Sequence, residues 1–238
     1  MYRELEARNF IIIEVALDTG GPDAVRKFIR PDEPIAVPAA FQAFMGWTAE
    51  EYAAAAAPTY PCLIDEKHVV GDAYDMRNVP MAVWIDEDGR IVRPAESAGA
   101  SDTFRSLDRT TYTVPAEVAD AGRATHARYI EAIRDWVEHG AASPYALSED
   151  EVRARITGPS ATEARATASF RLGVYLRERG AAESATRWFD EARQLSPERW
   201  TYFRQALQLK ETGAASGPEF LKAVAALGDR PYYPEANL

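Results

Sequence analysis

This 238-residue chain holds one cysteine, Cys62. A disulfide framework within the chain is therefore excluded, and so is a Cys-X-X-Cys redox pair. Histidine is nearly as scarce. His68, His126 and His139 lie far apart, and together with Cys62 they show no metal-ligand spacing. No metal and no cofactor is expected. Positive charge is also in deficit: 27 Lys and Arg stand against 37 Asp and Glu, a net charge of −10 at pH 7. A nucleic-acid partner needs a basic face, so the charge argues against one. No apolar run approaches the roughly 20 residues that span a bilayer, so no membrane partner is expected. The opening MYRELEARNF is charged and helical in character and does not read as a signal peptide, which makes the cytoplasm the expected location. Ser-His-Asp and glycine-rich phosphate signatures are missing too.

What is present falls into two styles. Phe10–Leu17, FIIIEVAL, reads as a buried strand between the end of one helix (Tyr2–Asn9) and the start of another in DTGGPDAVRKFIR. Helix–strand–helix is the rhythm of an α/β layer. Residues 31–61 are proline-rich and irregular. Within them Thr48 and Glu51 form a capping-box pair ahead of the alanines Ala53–Ala57, and the whole reads as a surface excursion. CLIDEKHVVGDAYDM then predicts a short strand, a turn and a short helix from about Val69 to Met76. Met81–Ile85, MAVWI, predicts a buried strand with Pro80 at its mouth. The DEDG turn, Asp86–Gly89, leads to a second strand, RIVRPA, which Pro94 is expected to end. Residues 95–115 read as polar loop.

Beyond residue 115 the pattern turns all-helical. Val118, Ile130, Ile133, Trp136 and Val137 place a long helix over Val118–Glu138, stopped at His139-Gly140. Ser148 with Glu151, and Ser160 with Glu163, are capping-box pairs. The chain thus divides into an α/β region at 1–115, a long helix at 116–140 that completes or links it, and a helical region at 141–238.

Within residues 166–199, Leu172, Gly173 and Leu176 are followed by Ala185, Phe189, Ala192 and Pro197. A small residue sits where two helices cross, with large apolar residues around it and a helix-ending proline. This resembles one tetratricopeptide unit, with Ser169 where a large residue is usual. Such a unit cannot cover itself, so Glu149–Ile156, Glu198–Thr212 and Pro218–Leu227 are expected to pack on it. The aromatics Trp200 and Phe203 could line a groove for a protein partner, but they read first as core.

The stretch TYPCLIDEKHVVGDAYDMRNVPMAVWIDEDGRIV, Thr59–Val92, resembles the thioredoxin-like superfamily in its redoxin or thiol–disulfide oxidoreductase branch. With Phe10–Leu17 the resemblance spans about residues 1–140. It implies an α/β thioredoxin-like fold that is incomplete, followed by the all-α tetratricopeptide-like region. It also implies that Pro80 is cis and that Val79 and Pro80 contact substrate, Val79 through its backbone. The family's reactive cysteine or selenocysteine follows its first strand, and neither that strand nor that motif is in these residues. Cys62 is the one thiol available. Its position at a strand start suggests a small inert hydrophobe and not a catalytic group.

Two functions follow from the resemblance. The chain is expected to be an N-terminally truncated thiol or selenol oxidoreductase acting on disulfide or peroxide, its reactive residue lying upstream of Met1. The alternative is a redox-inactive thioredoxin-like layer joined to a helical module that binds a protein partner. Other acidic pairs have structural readings. Asp86 and Asp88 belong to a turn, and Glu149–Glu151 surround a helix start. Asp72 and Asp75 lack the further ligands that a cation site needs. His68 has no visible partner for acid–base work, and Tyr74 and Trp84 read as core.

Overall fold

The computed structural model describes residues 1–29 and 58–238. The Thr48–Glu51 pair and the Ala53–Ala57 run lie outside the described residues.

A short helix, α1 (Tyr2–Leu5), passes through a 3-10 turn into an extended stretch and β1 (Glu14–Ala16). Helix α2 (Gly21–Ile29) follows, with Pro22 in its first turn, where a missing N–H costs nothing. Strand β2 (Cys62–Ile64) pairs parallel with β1, Glu14 opposite Cys62 and Ala16 opposite Ile64. After α3 (Val69–Ala73), β3 (Met81–Ile85) and β4 (Ile91–Ser97) form an antiparallel hairpin. The Asp86 carboxylate builds its turn by accepting from the amides of Asp88 and Arg90, at 3.1 and 2.8 Å. Gly89 takes the left-handed conformation there, φ +79°.

Two strand expectations change. The Phe10–Leu17 strand shrinks to three residues, and Ile11 and Ile13 are 58% and 56% exposed. A run buried on both faces belongs inside a larger sheet. Here β1 pairs with β2 alone among the described residues. The Glu14 amide donates to Pro61 and the Ala16 carbonyl accepts from Asp65, both on the β2 side. Val15 between them turns its backbone groups to the other edge, which pairs with no described strand. Pro94, secondly, does not end β4. The register runs Ala82 opposite Glu96 and Trp84 opposite Arg93, so β4 carries an extra residue around Pro94–Ala95. A bulge leaves one N–H out of the ladder, and a proline is tolerated there.

The hairpin is covered by α4 (Ala116–His139). Trp84 is buried with Leu5, Tyr129, Ala132 and Ile133, and Phe10, at the head of the β1 stretch, packs on the same cluster. The Trp84 indole donates to the Tyr129 hydroxyl at 2.9 Å and stacks on Trp136 with centroids 5.1 Å apart. Arg93, 1% exposed, is held by both oxygens of Glu96 at 2.7 and 2.9 Å and by the Tyr145 carbonyl at 2.8 Å. A buried guanidinium is tolerable when its donors are met in this way.

Next come α5 (Glu149–Arg155), α6 (Ala161–Glu178), α7 (Ala182–Leu195), α8 (Trp200–Lys210) and α9 (Pro218–Ala225). Both expected capping boxes are present, Ser148 with Glu151 and Ser160 with Glu163. Helices α6 and α7 pack as a hairpin on Ala166, Ala185 and Ala192, all essentially inaccessible. Gly173 lies under the Phe189 ring, which an added Cβ would meet at 2.6 Å. Leu172 departs from the expectation and is 36% exposed. Trp200 and Leu207 are buried with Phe220, Val224 and Tyr232, so the α8 aromatics form core and not a groove.

The Gly173 contact predicts a change of sign. Gly173→Ala should lower stability by about 1–3 kcal/mol through overpacking. In a Phe189→Ala background the same change should raise it by about 1 kcal/mol, the helix preference of Ala over Gly. Urea denaturation of the four proteins reads both. Stabilisation by Gly173→Ala in the wild-type background would contradict the close contact.

Candidate functional site

The segment between β2 and β3 is built on Asp65. Its buried carboxylate accepts from the amides of Val69 at 2.8 Å and Gly71 at 2.9 Å, satisfying donors at the start of α3. Gly71 lets α3 sit against Leu17, whose methyls an added Cβ would meet at 3.3 Å. His68 precedes the helix in the left-handed region, φ +55°. It is 2% exposed, edge-on to Phe170 with centroids 5.1 Å apart, and its Nε2 has no partner. Burial lowers its pKa, while Asp65, Asp72 and Asp18 pull the other way.

The next residues are fastened to the helical region. Asp72 accepts from the Tyr202 hydroxyl and from Arg171, the latter at 2.7 Å. Asp75 binds Arg77 at 2.8 Å and also Arg199. Arg77 reaches Glu163 and, at 3.3 Å, Glu198. The Thr201 amide donates to the Arg77 carbonyl at 3.1 Å and its hydroxyl to the Met76 carbonyl at 3.2 Å. Burial, then the bond to Asp72, push the Tyr202 phenol well above the usual tyrosine range. The Asp72–Asp75 pair is thus an interface element. Tyr74, expected in the core, is 37% exposed because α3 turns it outward while Asp72 faces α6 and α8.

The loop itself is Asn78-Val79-Pro80. The Val79–Pro80 peptide is cis. Both residues lie at the surface, Val79 at 36% exposure. Yet the Val79 backbone is engaged. Its amide donates to the Asn78 side chain at 2.9 Å, and its carbonyl accepts from the Tyr233 hydroxyl at 2.9 Å. Asn78, itself buried, donates to the Tyr232 carbonyl at 3.1 Å. The tail bearing these tyrosines is anchored by Asp102, whose two oxygens each accept one amide, from Tyr232 and Tyr233, at 2.8 Å. Asp102 also binds Arg105 at 2.9 Å. An open groove of about 610 Å³ runs beside this anchor, lined by Ser101, Asp102, Arg105, Thr125 and Glu235.

Cys62 lies in the other sheet from this loop. It is half-buried, not enclosed as an inert core residue would be, because strand β2 sits at the sheet margin. Its thiol is 3.4 Å from a Glu14 carboxylate oxygen and 3.5 Å from the Tyr60 carbonyl. Reactive thiolates are held by cations or helix N-termini, and these two described neighbours are an acid and a carbonyl. Among the described residues no cluster of three or more His, Cys, Asp or Glu could hold a metal ion, and no helix is long and apolar enough to cross a membrane. The tail is the component that sequence reasoning missed. Its one signal is PYYP, two aromatics between prolines, and nothing in that pattern points to Val79.

No protein-family profile, curated protein or solved structure matches this chain.

The His68 setting predicts a pH dependence. The unfolded chain takes up a proton near pH 6.5, while the folded chain resists it, so stability falls as pH drops below that value. His68→Asn, which keeps a residue tolerant of positive φ, should lose less stability than wild type between pH 7 and pH 5. Urea titrations at several pH values measure the slope. Parallel slopes would contradict the buried neutral imidazole.

Proposed function

We propose that residues 1–115 form a thioredoxin-like layer of a thiol or selenol oxidoreductase that reduces disulfide or peroxide. In this reading Val79 and Pro80 lie on the substrate side. The reactive cysteine or selenocysteine belongs to a polypeptide segment outside these 238 residues. The observation that carries the reading is the arrangement of open edges. Among the described residues β1 pairs with β2 on one side only, β3 pairs with β4 on one side only, and Phe10 and Trp84 share one core cluster. One more strand between β1 and β3 would join the two pairs into a single sheet, with the Val79 loop at the head of β3. The exposed Ile11 and Ile13 beside β1 are the apolar surface that such a strand would help to bury. The α6–α7 hairpin is read as one tetratricopeptide-like unit, resting on the Gly173–Phe189 contact.

The alternative, a redox-inactive module that takes a protein partner in the helical groove, has less support. The inner face of α6 is already filled by this chain. Phe170 stacks on Tyr202 of α8 at 4.1 Å, and Arg171 and Glu163 reach Asp72 and Arg77. A partner would have to use the outer face, where Leu172 and Tyr175 are exposed.

Peroxide and insulin-disulfide reduction should be measured on this chain beside the chain extended through the reading frame ahead of Met1. Activity is expected in the extended protein and not in the 238-residue chain. Activity of the short chain that Cys62→Ser abolishes would move the chemistry to Cys62. Activity in neither would remove the oxidoreductase reading.

A further inference from the structure

The tail contact at Val79 plays no part in the proposed chemistry or in the alternative binding role. The Val79 amide is held locally by Asn78, so its carbonyl is the backbone group that an extended chain could reach. That carbonyl is occupied by the Tyr233 hydroxyl. The two neighbouring tyrosines are held very differently. Tyr232 is 2% exposed, with Phe104, Trp200 and Phe220 around its ring at 5.1, 4.6 and 5.7 Å. Tyr233 is only half-buried, and its hydroxyl bond lies at the exposed rim. The Asp102 carboxylate fixes the backbone of both. Arg105 ties the preceding turn through the carbonyls of Gly228 and Arg230, at 2.6 and 3.0 Å. The Tyr233 ring rests on the edge of that cluster, against Phe104 and Tyr232 with centroids 6.0 and 4.7 Å apart, while the backbone anchors of the tail do not depend on its hydroxyl.

We propose that the tail is an intramolecular strap in which Tyr233 occupies the Val79 carbonyl, and that an extended polypeptide binds at this loop by displacing the Tyr233 hydroxyl. The proposal rests on the reading of Val79 and Pro80 as substrate-contacting residues. The ligand it names is peptide backbone in extended form, which pairs with an exposed acceptor by main-chain hydrogen bonds. Tyr233 is then a competitor for the site, since each bond made by the ligand first costs the bond made by the strap.

The test uses the full chain, its Tyr233→Phe form and its Asp102→Asn form. The second variant loosens the tail backbone without touching the Tyr233 ring. Reduced, carboxymethylated insulin B chain, labelled with fluorescein, serves as the extended probe in anisotropy titrations. Tyr233→Phe should bind it about fivefold tighter than wild type, the worth of one neutral hydrogen bond, and Asp102→Asn should shift in the same direction. The carbonyl carbon resonance of Val79 should move on Tyr233→Phe and move again when probe is added. Equal affinities in all three proteins would overturn the strap and leave Val79 as a binding position. An affinity gain with an unmoved Val79 resonance would also overturn it. No binding by any of the three would overturn the strap together with the substrate-side reading of the loop.

Discussion

A two-stranded sheet cannot bury its own apolar face, and the described residues hold two of them. A hairpin alone is marginal in water. A parallel pair as short as β1 and β2, three residues each, has less to hold it. Everything else in the architecture answers that constraint. Helix α4 lays Tyr129, Ala132 and Ile133 over Trp84, and the indole–hydroxyl bond satisfies the two polar atoms that this burial would otherwise strand. No described helix gives the parallel pair such cover on its outer face, and Ile11, Ile13 and Leu63 are exposed there.

The helical region does for the β2–β3 segment what α4 does for the hairpin, but with polar chemistry. Asp72, Asp75 and Arg77 are spent on α6 and α8 and on the turn before α8. Several of these pairs are well exposed, Asp75 and Glu198 at about half, and such pairs contribute at most about 1 kcal/mol each. The more enclosed contacts carry more: Tyr202 on Asp72, the Phe170–Tyr202 stack and the buried His68 ring beside it. The tail closes the arrangement from the far side, through Asn78, Val79 and the buried Arg93, which also donates to the Asn237 carbonyl. The loop ahead of β3 is thereby held from both sides by helical-region residues.

Much of this was legible from local pattern. The β3 strand, the DEDG turn, the α4 span ending at Gly140 and both capping boxes depend on near neighbours in sequence, and they stand where the residues put them. Gly173 under Phe189 was legible because only a glycine permits that approach. Two errors share another cause. FIIIEVAL reads as a doubly buried strand, but burial depends on partners that the segment does not encode. Pro94 reads as a strand end, but a bulge in the register accommodates it. The tail at Val79 was not legible at all. Tyr233 and Val79 are far apart in the chain, and their contact depends on how α8 and α9 seat the tail.

A further strand can join the two sheets only if the edge of β1 away from β2 is open. Residue-resolved amide exchange of the 238-residue chain reads that edge directly. The Glu14 amide, bonded to Pro61, should be protected, and the Val15 amide, directed at the open edge, should exchange far faster. Equal protection of Val15 and Glu14 would mean that the edge is already covered, and the sheet would then have no place for a further strand.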